Sequence, residues 1–155
     1  MRKRVVITGM GCICPVGNDV ASAWENILAG KSGVKAVSLF DSSEFKTRIA
    51  AEVKDFDAKE LLGRQIARRY DRVSQFALIA TQQAIEQSGL EITPENRDRI
   101  GVLIGSGIGG IGTLYENIVV FLERGPNRVS PFTVPMMLPD SASGLVAMWR
   151  GASCR

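Results

Sequence analysis

An α/β fold class is predicted for this chain by three features of its sequence. Short β-branched runs end in glycine turns, with Val5-Val6-Ile7-Thr8 before Gly9-Met10-Gly11 and residues 100–104 before Gly105. Such runs read as buried strands entering tight loops. Stretches with apolar residues at helical spacing follow both of them, and 45% apolar content over 155 residues is enough for one packed core.

Each element follows from local pattern. After the first strand, Pro15 and Gly17 close a loop. Asn18 or Asp19 then supplies the cap of a helix whose Val20, Trp24, Ile27 and Leu28 share one face, with Gly30 as its stop. Residues 33–56 lack a sustained period, although 49–53 read as a short strand. A short helix is expected from Asp57. The longest helical stretch covers 68–88, and its stripe of Val73, Phe76, Ala77, Ala80 and Ala84 is small enough for close packing against a sheet or another helix. Gly89 ends it, and Pro94 opens a turn before the second strand, which Gly101 interrupts. Thr113 and Glu116 stand at capping-box spacing on a helix through Glu123, which Gly125-Pro126 terminates. Three prolines between 130 and 139 predict an irregular apolar segment, and Asp140-Ser141 caps a last helix through Met148. No repeat, low-complexity tract or interdomain linker is found.

Composition excludes several function classes. Nineteen Lys and Arg against 16 acidic residues leave a formal charge of +3, far from the dense basic field that nucleic-acid binding uses. No apolar run approaches the ~18 residues of a membrane span, and Met1-Arg-Lys-Arg runs straight into a strand-like segment, so the cytoplasm is the expected compartment. Cys12, Cys14 and Cys154 form an odd set, expected to be free thiols. The chain has no histidine, which removes the commonest general base and metal ligand near neutral pH.

Three local motifs bear on binding. Gly105, Gly107 and Gly110 match a dinucleotide-type glycine loop between strand and helix, but the acidic residue needed about 20 positions later falls on Glu123, inside the helix. Close backbone packing is the alternative. Cys12-Ile13-Cys14 has too few companions for a zinc site, so the two cysteines read as small apolar residues and no metal is expected. Arg64, Arg68 and Arg69, with Lys59 nearby, gather at the start of the longest helical stretch, where the helix dipole disfavours cations unless an anionic partner uses them. A solvated face paired through Asp71 is the other reading.

Read together, Val5-Val6-Ile7-Thr8-Gly9-Met10-Gly11, Pro15-Val16-Gly17-Asn18, Trp24 and Ala29-Gly30-Lys31-Ser32-Gly33 resemble the start of the β-ketoacyl-acyl carrier protein synthases. The ordered resemblance continues through Phe40-Asp41, Asp55-Phe56, Gln87-Ser88-Gly89-Leu90, Arg99-Ile100-Gly101, the 105–110 loop and Ser130-Pro131-Phe132. It is nearest to the elongating type II condensing enzymes. It implies the first part of the amino-terminal half of a thiolase-like fold, with layers of helix, sheet, helix, sheet, helix, and a homodimer in the full-length family.

The resemblance also implies a chemistry. In the family a cysteine at a helix amino terminus takes an acyl chain from acyl carrier protein. Two later histidines then help decarboxylate malonyl-acyl carrier protein, whose carbanion lengthens the chain by two carbons. Neither that cysteine's Ala-Cys-x-x-Gly-like setting nor the histidines occur here, so no catalytic residue is assigned and no cofactor is expected. Residues 1–147 are read as the amino-terminal part of the synthase domain and 148–155 as a divergent or truncated end. What carries over is binding: Ile108, Thr133 and Val134 for the acyl chain, and Arg64, Arg68 and Arg69 for docking acyl carrier protein. The chain alone is expected to be inactive, or to serve as a noncatalytic carrier-protein-binding module. Phe132, Met136, Met137 and Trp149 are expected to be uncovered and to promote association.

Overall fold

A computed structural model describes residues 3–151 of the chain. Its helices are α1 (Val20–Leu28), α2 (Ala58–Leu62), α3 (Arg64–Arg69), α4 (Arg72–Ser88), α5 (Ile111–Arg124), α6 (Thr133–Met137) and α7 (Ser141–Arg150). One antiparallel strand pair, β1 (Val34–Ala36) with β2 (Ile49–Ala51), aligns Lys35 with Ala50. Among the described residues, no helix is long and apolar enough to cross a membrane.

The core forms where α4 crosses α7. Leu78 on α4 meets Leu145 and Val146 on α7, and Leu62, Ile66, Tyr70, Val102 and Ile104 close around them. Burying each large apolar side chain contributes about 1.5–3 kcal/mol. The face of α4 that is most deeply buried carries Ser74, Gln75, Leu78 and Ile79 rather than the alanine stripe read from sequence. Of that stripe, Ala77 packs against the core, whereas Ala80 and Ala84 meet a different neighbour. A Cβ on Gly9 would run into the carbonyl oxygen of Ala84, and one on Gly11 into that of Ala80. The 9–12 segment therefore lies directly on the alanine face of the helix. Gly11→Ala is expected to lower the midpoint of urea unfolding by the equivalent of about 2–4 kcal/mol, because helix backbone cannot yield to the added methyl. An unchanged midpoint would contradict the packing.

Neither expected core strand forms a ladder. Residues 5–8 and 100–104 carry no assigned secondary structure, and Val5 is 94% and Leu103 98% exposed. Burial nevertheless alternates along residues 100–105, with Val102 and Ile104 turned to the core and Leu103 outward. The period of a strand is present without a strand neighbour. Helix side chains bond the backbone just after the first segment and at the end of the second. Met10 N–H donates to Gln87 Oε1 at 2.6 Å and Cys12 N–H to Gln83 Oε1 at 2.9 Å. Ile104 N–H donates to Ser143 Oγ at 3.1 Å, and the Ser143 hydroxyl donates back to the Ile104 carbonyl at 3.3 Å. Buried backbone groups need such partners wherever a sheet does not supply them.

Several caps differ from their sequence reading. Asp19 caps α1 as expected, but Trp24, Ile27 and Leu28 are exposed and only Ala23 is buried. The expected 68–88 helix is two helices, broken at Tyr70 and Asp71, where both residues are extended. Thr113 does not cap α5. The N-cap is Gly110, and Asp71 from the α4 N-terminus accepts hydrogen bonds from Thr113 N–H at 2.9 Å and Thr113 Oγ1 at 2.7 Å. The proline-rich segment contains the short helix α6, since Pro135 sits in the first turn, where its missing N–H is not needed. Asp140 occupies the α7 N-cap position without a side-chain cap bond. Phe132 and Trp149 are exposed to solvent, whereas Met136 and Met137 are half-buried.

The Asp19 cap has a pH signature. Hydrogen bonds from Ser22, first from its backbone N–H and then from its hydroxyl, hold the Asp19 carboxyl below the usual carboxylate range. A depressed folded pKa contributes stability in full above the ordinary value of about 3.9, and the contribution is lost as pH falls through the lower folded value. NMR titration should show Asp19 protonating below that ordinary value, with Ser22→Ala moving it upward. An unshifted Asp19 would contradict the cap.

Candidate functional site

The arginines do not stand at the start of the long helix. They belong to α3, and Arg68 and Arg69 fall in its last turn, where the helix dipole favours cations. The conflict with the helix dipole therefore disappears for Arg68 and Arg69, whereas Arg64 is the first residue of α3. Nor does Asp71 pair with them, because its carboxylate accepts from Val73 N–H and from Thr113. On α3, Ile66 faces the core, while Arg64, Arg68 and Arg69 remain exposed. The elbow that presents them is fixed by buried Gln75, whose Nε2 donates to the carbonyls of Ala67 at 3.2 Å and Tyr70 at 2.8 Å.

Arg64, Gln65, Arg68 and Arg69 line one open cavity of about 410 Å³, with no carboxylate in its wall. Guanidinium groups grouped in this way suit phosphate or clustered carboxylates, which they bind with paired, charge-assisted hydrogen bonds.

Arg69 also borders a second cavity of about 580 Å³, walled largely by apolar side chains of α6 and α7, including Val134, Met136, Leu138, Leu145 and Met148. The Arg69 guanidinium lies 5.7 Å from the centroid of the Phe132 ring, which also lines this cavity. A cation–π contact of this kind is worth about 0.5–1 kcal/mol at an exposed site. Cationic and apolar recesses thus share one residue. Together they fit an amphiphile whose acidic part meets α3 and whose alkyl part enters between α6 and α7.

The acyl-chain candidates separate in the structure. Val134 lines the apolar cavity and is 60% exposed. Thr133 and Ile108 are not among its lining residues: Thr133 donates its hydroxyl to the Ser130 carbonyl at 2.7 Å, and Ile108 stands 64% exposed in the glycine loop. That loop leaves little for a phosphate. Gly109 N–H donates to Ser106 Oγ, Gly110 N–H to the Met137 carbonyl and Thr113 N–H to Asp71, whose negative charge already sits at the α5 amino terminus. This argues against the dinucleotide reading. Among the described residues no three His, Cys, Asp or Glu side chains converge on a metal-sized site. Cys154 lies outside the described residues.

Leu138, Leu145 and Met148 escaped the sequence reading because only the packing of α6 on α7 assembles them. Asp71 escaped as the α5 cap because its partner is 42 residues away, with no local signal.

Comparison with known proteins places these features in context. Residues 2–154 match the family model described as "Beta-ketoacyl synthase, N-terminal domain". The chain is 46% identical over 151 residues to 3-oxoacyl-(acyl-carrier-protein) synthase 2 of Synechocystis sp., covering 97% of this chain and 36% of that protein. Against the enzyme of the same name from Coxiella burnetii, identity is 48% over 147 residues, covering 95% and 36%. The chain thus spans about a third of the length of these relatives. A solved β-ketoacyl synthase from Burkholderia phymatum shares the fold at a TM-score of 0.79 and 27% identity, covering 99% of this chain and 38% of that one. A ketosynthase solved in complex with its type II polyketide acyl-carrier protein superimposes at 0.80 with 22% identity, covering 99% and 41%, which speaks to fold alone.

Proposed function

The chain belongs to the β-ketoacyl synthase family, and from that membership we propose that it is the carrier-docking and acyl-contacting portion of a fatty-acid-elongating condensing enzyme. The observation that carries the reading is the shared residue Arg69, which joins the arginine recess of α3 to the apolar cavity beside Val134. In this reading acidic groups of acyl carrier protein meet Arg64, Arg68 and Arg69. The acyl chain then lies against Val134, with Ile108 and Thr133 contributing in the assembled enzyme. The exposure of Val134 and Phe132 supports a role for this edge in a homodimer.

The reaction of the whole enzyme is a decarboxylative condensation of an acyl thioester with malonyl-acyl carrier protein. With no histidine in its 155 residues, the chain by itself binds without turning over. Carrier protein charged with a medium-length acyl group tests this in the presence of malonyl-carrier protein. Saturable binding with no elongated product is expected. Sustained two-carbon elongation would contradict the division of roles, and an absence of saturable binding would contradict the docking assignment.

A further inference from the structure

A second cationic recess lies where the carboxyl end of α1 meets the β1–β2 hairpin. Lys31, Lys35 and Lys54 line one cavity of about 140 Å³, together with Asn26, Ser32 and Gly33. It shares no residue with the arginine recess of α3. Local chain geometry gathers the three lysines. Gly30, left-handed at φ 66°, follows α1, and Lys31 N–H donates back to the Asn26 carbonyl at 2.9 Å, which folds the chain over the last helical turn. The Lys31 ammonium then donates to Asn26 Oδ1 at 2.8 Å, while Asn26 Nδ2 is itself fixed on the Val16 carbonyl at 2.6 Å. Gly33 lies directly on Pro15, since a Cβ there would come within 2.7 Å of the Pro15 side chain. Lys35 stands on β1 opposite Ala50, and Lys54 follows β2 with its carbonyl held by Asn18 Nδ2 at 2.8 Å.

Charge and size select the ligand. Among the described residues no carboxylate lines the cavity. Glu52 and Asp55, the acids beside Lys54, stand outside its wall, and Glu52 accepts hydrogen bonds from Ser38 and Leu39 instead. The negative end of α1 accounts for Lys31 alone, because Lys35 and Lys54 come from β1 and from beyond β2. Like charges gathered without an acid repel one another until an anion joins them. Uncharged donors stand beside them. Ser32 Oγ accepts from Val34 N–H at 3.1 Å, which leaves its hydroxyl hydrogen to donate. Among the described residues the N–H groups of Ser32 and Gly33 donate to no backbone carbonyl. Ammonium groups act as point charges and suit a compact, multiply charged ion, whereas guanidinium forks suit planar carboxylates. Four oxygens at a water's share of ~30 Å³ each fill about 120 Å³, which matches the recess. We propose that Lys31, Lys35 and Lys54, with the Ser32 hydroxyl, form a binding site for a phosphate group, carried as the inorganic ion or as a small monoester.

The experiment follows amide NMR signals of the full chain as inorganic phosphate, and separately glycerol phosphate, is added at constant ionic strength against a chloride control. Saturable shifts centred on Ser32 and Gly33 are expected, and the probe that produces them, or both, identifies the source of the phosphate group. The same shifts should persist in the Arg68→Glu, Arg69→Glu variant, which removes the other cationic recess. Lys35→Gln and Lys54→Gln should each weaken binding by about tenfold or more, the scale of one hydrogen bond to a charged group. Both lysines are exposed, so neither change disturbs the fold, and unaltered signals from α4 check this. Failure of both probes to saturate, shifts that chloride reproduces, affinity unchanged in both lysine variants, or loss of the signal with the α3 arginines would each overturn the site.

Discussion

Replacing Arg68 and Arg69 together by glutamate is expected to weaken binding of acyl carrier protein by about 100-fold or more, the equivalent of roughly 3 kcal/mol. Both guanidinium groups line the α3 recess and are solvent-exposed, so reversal leaves the Ile66 side of the helix in place and, apart from the Arg69–Phe132 contact, changes only what a partner meets. Two reversed charges replace attraction with repulsion at close range. The parent interaction should weaken steeply with added salt, and the variant should lose that dependence. Arg124→Glu with Arg128→Glu, at the end of α5 and just beyond it, serves as the charge-matched control and should leave affinity within about threefold. Fluorescence anisotropy of labelled carrier protein measures all three. Equal losses in the two double variants would reduce the arginine cluster to a general charge effect.

Asp71→Ala is expected to destabilise the chain by about 2–4 kcal/mol, a large part of the 5–15 kcal/mol that holds a typical domain together. One carboxylate serves two helices. It accepts Val73 N–H at the start of α4 at 3.2 Å, and it accepts the N–H and hydroxyl of Thr113 in the first turn of α5. Gly110 and Gly112 pack beside it, so removing the carboxylate strands donors that water reaches poorly. Asp71→Asn keeps one acceptor oxygen and should lose less than alanine. A double-mutant cycle with Thr113→Val separates the α5 contribution by urea unfolding. A loss confined to that of an ordinary single cap, near 1 kcal/mol, would show that the link between helices carries no weight.

Helices were legible where a cap, an apolar period and a stop coincide locally, as at Asp19 to Gly30, and the short helix expected from Asp57 forms as α2. Gly89 in the left-handed conformation ends α4 where the sequence placed its stop. Residues 5–8 and 100–104 show the limit of such reasoning. Their β-branched composition states a preference, yet a strand exists only when a neighbour completes its hydrogen bonds; Ser143 meets part of that need at Ile104, while Gln87 and Gln83 bond the backbone just beyond residues 5–8, at Met10 and Cys12. The arginines were found by their grouping, but the break at Tyr70 and Asp71 that places Arg68 and Arg69 at a helix carboxyl end depends on Gln75 bonding back to two carbonyls. Val134 was reached through family likeness. The remainder of its cavity is created by tertiary packing of α6 on α7, for which no short motif exists.

Photocrosslinking gives the most direct test of a docking surface continuous with an acyl cavity. Carrier protein bearing a fatty acyl chain with a terminal diazirine is irradiated with the chain, and the labelled residues are located by mass spectrometry. The label should fall on the cavity wall at Val134, Leu138 and Met148, and it should disappear in the Arg68→Glu, Arg69→Glu variant. Labelling spread over other exposed apolar residues such as Val5, Leu103 and Leu122, or labelling that survives charge reversal, would contradict it.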